Sequence, residues 1–327
     1  MDAVLSSLVD DRLGPGAVSR DFVRCCAGYT ETSGGIAFRE YRRAVEVLFD
    51  AAEITAESAV VISPLAPRVY HDVIAARGIQ ALYADVDLNT GCISKPAVEA
   101  CVKSGAVACV ADSPAGFVPD LNGLADLGIT LIEDISTNLG GSCLEKKCGS
   151  FGRFSIISLE ERDVITAGGG ALVLARTKRD LGLLKKAAES LDDTYLLADL
   201  NAALAGIQLK NIEGFLERRR NIAAVYTRSL AKGRHRTFMQ DENKENVSFT
   251  FPVVFNGGVN DALKYARGKL VMAEKAFGEN GDFWTATRAK SCPNAYALFL
   301  RCLFFPLYPL LTRQQIEQVA KVLATLP

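Results

Sequence analysis

Two stretches of this chain carry residue types at spacings that support chemistry. Asp134 closes the apolar run Leu131-Ile132-Glu133. A carboxylate at the carboxyl end of a strand sits where parallel sheets bind their ligands, and the same residue also reads as a strand-end acid that caps a turn. Ser33-Gly34-Gly35 offers another tool. A Ser-Gly-Gly turn that opens a helix presents backbone N–H groups to an anion, with the helix dipole behind them; the alternative is a plain N-cap, with Ser33 as the cap. Gly168-Gly169-Gly170 precedes a strand and not a helix, so it is not a dinucleotide fingerprint. Metal chemistry is disfavoured: the nine cysteines form no CxxC pair, and His71 and His235 are the only histidines.

These residues need a scaffold, and the apolar periodicity supplies one. Ala59 to Ile62, Ala81 to Ala84, Ala106 to Ala111, Ile129 to Ile132, Phe154 to Leu159 and Ala171 to Ala175 read as short buried strands. Helical patterns lie between them: Ile36 to Ile54, Val69 to Arg77 ending at Gly78, and Pro96 to Ser104. Alternation of this kind predicts an α/β fold with a mainly parallel sheet covered on both faces. Its ligands belong near Ser63-Pro64, Ala111 to Gly116 and Glu133-Asp134. From Lys178 to Lys232 the pattern is helical. Polar Gln240 to Asn246 is the clearest boundary candidate, giving a large domain over 1–230 and a smaller C-terminal α/β lobe over 231–327. Thr312 and Gln315 form a capping box for the last helix, with Leu311 and Ile316 as its staple.

Composition excludes several function classes. The 327 residues are 49% hydrophobic and 23% charged, ordinary for a globular protein of this size, and the net charge of -1 provides no field for nucleic acid or acidic membranes. The start MDAVLSSLVDDRLG has no basic n-region or apolar h-region, and no run is a membrane span, so a cytoplasmic protein with reduced thiols is expected. Arg218-Arg219-Arg220 reads as a solvated or dimer-facing stripe, and Trp284 as a packing residue.

Five segments in order resemble the fold-type-I, pyridoxal-phosphate (PLP)-dependent sugar aminotransferases of the DegT–StrS group. Thr32 to Phe38 is similar to that family's phosphate loop, and Leu131 to Gly141 to its aspartate motif. Phe154-Ser155 through Thr166 to Gly170 is similar to its lysine segment. Asn201 to Leu204 with Gln208-Leu209, then Glu217 to Ala223 and Tyr226, matches a helical motif, and Phe305 to Thr312 a C-terminal signature. The likeness covers roughly 20–230 and 290–327, while 240–290 matches poorly. It implies PLP fold type I, with Asp134 pairing the pyridine nitrogen, Ser33, Gly34, Gly35 and Ser155 around the phosphate, and Pro67, Thr137 and Thr194 lining the pocket.

The departures from the family pattern are as informative. The Schiff-base lysine lies five residues after the serine equivalent to Ser155, and here that residue is Glu160; Phe154 to Arg176 contains no lysine. Arginine is no substitute, because its guanidinium stays protonated. Pro67 stands where the family stacks an aromatic ring, with Tyr70 near enough to compensate. Gly35 replaces a hydroxyl residue, Thr137 a glutamine, Thr194 an asparagine that reaches the neighbouring subunit's phosphate, and Leu196 an arginine.

Three readings follow. The first is a member without transaminase activity and without covalent PLP, still able to bind a nucleotide-sugar in surface-polysaccharide synthesis. The second is an enzyme that holds PLP or its amine form (PMP) non-covalently, with Glu160 as general base. The third is a non-catalytic partner of an active paralogue. All three share a homodimer whose contact surface is Thr194 to Leu209.

Overall fold

The computed structural model describes residues 13–327, together with Val4 and Val9. The rest of the MDAVLSSLVDDR start, read above as free of a targeting signal, lies outside the described residues. The large region runs α1 (Ala17–Tyr29), β1 (Gly34–Phe38), α2 (Tyr41–Ala51), β2 (Ala59–Ile62), α3 (Arg68–Ala76), β3 (Gln80–Tyr83), α4 (Lys95–Lys103), β4 (Ala108–Ala111), α5 (Leu121–Ala125) and β5 (Thr130–Asp134). It continues through β6 (Ser142–Cys143), β7 (Lys146–Lys147), β8 (Phe154–Ser158), β9 (Ala171–Ala175), α6 (Lys178–Ala188) and α7 (Asp199–Lys210). Then come α8 (Ile212–Leu230), β10 (Lys244–Glu245), β11 (Phe251–Val254), α9 (Asn260–Gly268), β12 (Glu274–Lys275), α10 (Ala286–Ser291), α11 (Pro293–Arg301), β13 (Cys302–Phe305) and α12 (Arg313–Ala324).

Seven strands form the central sheet in the order β1-β9-β8-β5-β4-β2-β3. Neighbours from β3 to β8 are parallel, β9 is antiparallel to β8, and β1 is antiparallel to β9. Strands β2, β4 and β9 are buried along their whole length, as continuous Ala-Val-Ile-Leu runs require when both faces are covered. One face packs on α1 and α7 through Phe22, Cys26, Ala202 and Leu209. The other packs on α2, α3 and α6 through Val45, Leu48, Val73 and Leu184.

A second core surrounds the three-stranded sheet β11-β13-β12. Helix α8 passes between the cores: Ile212 and Leu216 join the large one, and Ile222, Tyr226 and Leu230 the small one. The capping box of α12 forms as its sequence predicts, with Leu311 and Ile316 both buried. Among the described residues no helix is long and apolar enough to cross a membrane.

Two expectations are corrected, and one polar segment is better defined. Ile36 to Phe38 is strand and not helix, because Gly34 to Phe38 pairs residue by residue with β9. The boundary candidate 240–246 carries backbone pairing of its own: β10 pairs with β6, and the Gln240 side chain accepts from the Val118 N–H at 2.8 Å. Side-chain polarity carries no record of such backbone pairing. Arg219 is buried at 3% exposure, since it shares the helix face of Ile222 and Tyr226. Its guanidinium donates to the carbonyls of Phe249 at 2.7 Å and Leu307 at 3.0 Å.

Candidate functional site

Asp134 ends β5 on the face that packs against α2 and α3, and it is 3% exposed. Both carboxylate oxygens are taken by the chain's own donors. Oδ1 accepts from the Ser136 N–H at 2.9 Å and from the Ser136 hydroxyl at 2.5 Å. Oδ2 accepts from the Tyr70 hydroxyl at 2.8 Å and from the Tyr41 hydroxyl at 2.5 Å. Ser136 Oγ is itself held by the Ser158 N–H at 2.8 Å. Burial, then the Asp134 charge, push both phenols well above the usual tyrosine range, so they remain donors.

Two more carboxylates gather here. Asp112, just past β4, is 4% exposed, and its Oδ1 has no hydrogen-bond partner among the described residues. Burial first, then the Asp134 charge, push it up to about 7. Asp163 is pushed up to about 6, first by burial; the charges of Asp134 and Glu160 act in the same direction, against hydrogen bonds from Ser158 and the Glu160 backbone. Among the described residues no lysine or arginine forms an ion pair with any of these three acids. The site is therefore an acidic cluster, with Asp112 and Asp134 buried and Asp163 half-buried, in which tyrosine and serine hydroxyls hold Asp134.

The residues singled out from sequence fall in several places. Ser33, Gly34 and Gly35 do not open a helix: they lead into and begin edge strand β1, and the Ser33 hydroxyl donates to the Arg176 carbonyl at 2.9 Å. Glycine at 35 answers to that ladder, because a Cβ there would lie 2.2 Å from the Val173 carbonyl oxygen. The helix that enters the site starts at Tyr41, after Glu40. Ser155 lies on the opposite face from Asp134: it pairs in register with Glu133, and strand residues alternate faces. Its hydroxyl is buried without a partner among the described residues. Ser158 is the strand serine on the Asp134 side, and five residues beyond it stands Asp163.

Glu160 is exposed, and its Oε1 accepts from the Gly170 N–H at 3.4 Å while its own N–H donates to Asp163 at 2.8 Å. Arg162 pairs with Glu274 at 3.7 Å. Pro67 is the N-cap of α3. Thr137 donates its hydroxyl to the Ser113 carbonyl at 2.5 Å. Thr194 is exposed, on a turn capped by Asp192 at 2.8 Å. Tyr70 is fully buried, and its hydroxyl goes to Asp134.

Tyr41, Asp112, Ser136, Ser158 and Asp163 are the site residues that sequence reasoning missed. Asp112 lies within a stretch marked as a strand end, and Ser136 within the aspartate motif Leu131 to Gly141. Ser158 differs from Ser155 only by strand parity. Tyr41 sat inside an overlong helix, on one apolar face with Val45, Leu48 and Phe49, so it read as a core residue and not as a site residue.

A seven-stranded, mainly parallel sheet with a strand-end aspartate and a small C-terminal α/β lobe is the fold of PLP-dependent enzymes of fold type I. Solved structures agree on the fold. A putative sugar aminotransferase from Streptococcus pneumoniae, in its PMP form, superposes with a TM-score of 0.89 at 16% identity, covering 100% of this chain and 96% of that one. An aminotransferase from Streptoalloteichus hindustanus gives 0.89 at 19% identity over 98% and 93%. The chain belongs to the DegT/DnrJ/EryC1/StrS aminotransferase family, whose sequence profile matches residues 1–324. Among named relatives, the UDP-4-amino-4,6-dideoxy-N-acetyl-beta-L-altrosamine transaminase of Campylobacter jejuni is 25% identical over 78% of this chain and 73% of its own length. The L-glutamine:2-deoxy-scyllo-inosose aminotransferase of Micromonospora echinospora is 26% identical over 66% and 58%.

The family implies PLP, and the residues present do not fit it. No lysine lies between Phe154 and Arg176. Every acceptor position of Asp134 is already filled, by four donors of the chain itself. Among the described residues no cation pairs with Asp112, Asp134 or Asp163, so the cluster offers a phosphate ester no positive partner.

Proposed function

We propose that this chain is a member of the sugar aminotransferase family, of the kind that serves nucleotide-sugar and deoxysugar synthesis, that does not transaminate. One observation carries the reading: the segment that should present a lysine presents Glu160 and Asp163, next to an Asp134 already saturated by Tyr41, Tyr70 and Ser136. A Schiff base needs an unprotonated primary amine at the aldehyde, and a carboxylate supplies none. The reading in which Glu160 acts as base draws less support, because Glu160 is exposed and turned toward the Gly169-Gly170 turn. The fold outlives the loss of the lysine, so the proposed role is binding of a nucleotide-sugar, alone or beside an active paralogue.

The reading includes a homodimer through residues 194–209. Helix α7 is apolar on more than its buried side: Ala202, Ala203 and Ala205 are buried, while Leu204 is 40% exposed. A helix that is apolar all round belongs under cover.

Borohydride reduction of the protein incubated with PLP, followed by peptide mass spectrometry, tests the reading. The expected result is no visible aldimine band and no pyridoxyl-lysine. A stoichiometric pyridoxyl adduct at any single lysine of the unmodified chain would overturn it.

A further inference from the structure

Tyr41 is the first helical residue of α2, and its hydroxyl reaches Asp134 Oδ2 across 93 residues of sequence. The Tyr70 phenol meets the same oxygen, and the two hydroxyls lie 3.2 Å apart. The rings meet edge to face, with centroids 6.1 Å apart and planes at 87°. Ser136 takes the remaining oxygen with both its N–H and its hydroxyl. A carboxylate has about four acceptor positions, and here all are used. A pyridinium N–H seeking Asp134 has to displace one of the two phenols. Tyr70 is fully buried within the α2–α3 core, whereas Tyr41 is only partly buried at its edge. Tyr41 is the side chain in competition with an incoming ring.

We propose that Tyr41 is a built-in occupant of the cofactor-ring position, donating to Asp134 in place of a pyridine nitrogen, so that the site takes neither PLP nor PMP even without a covalent bond. This deepens the reading above, on which it rests, by extending the loss from the aldimine to the cofactor itself. Two further features act in the same direction. Glu40 is the N-cap residue of α2, so an acid stands at the helix end that would attract an anion. Asp112 and Asp163 bring two further acids beside Asp134 and no cation pairs with any of them among the described residues, so a phosphate ester finds no positive partner there.

The test is titration of the full chain with PMP, followed by calorimetry and by PMP fluorescence, and repeated with 3-hydroxypyridine. PMP has no aldehyde and cannot be trapped by borohydride, so its binding reports on this proposal alone; trapping reports on the earlier reading. The native chain and Tyr41→Phe, which keeps the ring, are expected to show no saturable binding up to about 1 mM. Tyr41→Gly is expected to bind 3-hydroxypyridine or PMP at least about tenfold more tightly than the native chain. Stoichiometric PMP binding by the native chain or by Tyr41→Phe overturns the proposal, and so does a folded Tyr41→Gly that binds neither probe. Should Tyr41→Gly fail to fold, the native and Tyr41→Phe titrations still decide it.

Discussion

Glu133 and Asp134 are adjacent in sequence and point to opposite faces of β5, so two neighbouring carboxylates have unrelated duties. Asp134 faces the α2–α3 side and collects hydroxyls. Glu133 is fully buried on the other side and accepts from the N–H groups of Gly149 at 2.7 Å, Phe151 at 2.7 Å and Gly152 at 2.6 Å. Those contacts shape the turn that leads into β8. Because β8 carries Ser158 to Asp134, the structural acid sets the register of the site acid's surroundings.

Glu133→Ala should therefore destabilise the chain by about 3 kcal/mol or more, since it strands three buried amides. Glu133→Gln, which keeps one oxygen acceptor but adds donors facing donors, should fall between the two. Urea unfolding curves of the three proteins check the order. An unchanged midpoint for Glu133→Ala would mean that the turn is held by something else.

The acidic cluster makes stability depend on pH. Asp112 has an ordinary value near 3.8 and a folded value of about 7; Asp163 moves from 3.8 to about 6. Both folded values are raised, so the folded state holds protons that the unfolded state has released. Their contribution to stability is full below about pH 4 and is lost as pH rises, by about pH 6 for Asp163 and about pH 7 for Asp112. Asp112→Asn should consequently gain stability over the native chain with rising pH, by at most on the order of 4 kcal/mol at pH 8, from about 1.4 kcal/mol per pKa unit. Melting curves of both proteins at pH 4.5 and pH 8 check the sign; a difference that shrinks toward pH 8 refutes the assignment.

Restoring a lysine at the position expected from sequence should not restore cofactor chemistry. The Glu160 side chain is exposed and directed at the Gly169-Gly170 turn, while Tyr41 holds Asp134. Glu160→Lys should show no visible band with PLP. In a Tyr41→Gly background, Asp163→Lys should yield more borohydride-stable adduct than Glu160→Lys, because Asp163 feels the charge of Asp134 and follows Ser158 by five residues. Equal or greater trapping in the Glu160→Lys protein would return the lysine position to Glu160.

The exposed Leu204 on α7 provides the test of assembly. Sedimentation velocity of the native chain at micromolar concentration should show a dimer, and Leu204→Glu should shift it toward monomer with little change in melting temperature, because the substitution leaves the monomer core intact. A native monomer would remove the proposed interface.

The sequence by itself determined the strands and most of the helices around them. Buried parallel strands must be apolar without a break, so Ala59-Val60-Val61-Ile62 and Ala171 to Ala175 announce themselves, and Thr312 with Gln315 marks the start of α12. It also shows that Phe154 to Arg176 contains no lysine, since that needs no coordinates. Tertiary structure alone decided which residues meet. Ser155 and Ser158 are both serines of one strand, and only the sheet's pleat and pairing put Ser158 on the face of Asp134. Gly34-Gly35 looked like an anion loop until β9 was found alongside it. Tyr41 became a ligand of Asp134 because α2 begins beside the end of β5, which is a relation between backbones 93 residues apart. Local periodicity records which side chains are apolar; which polar group faces which across a sheet depends on strand order and register, and no short stretch of sequence contains them.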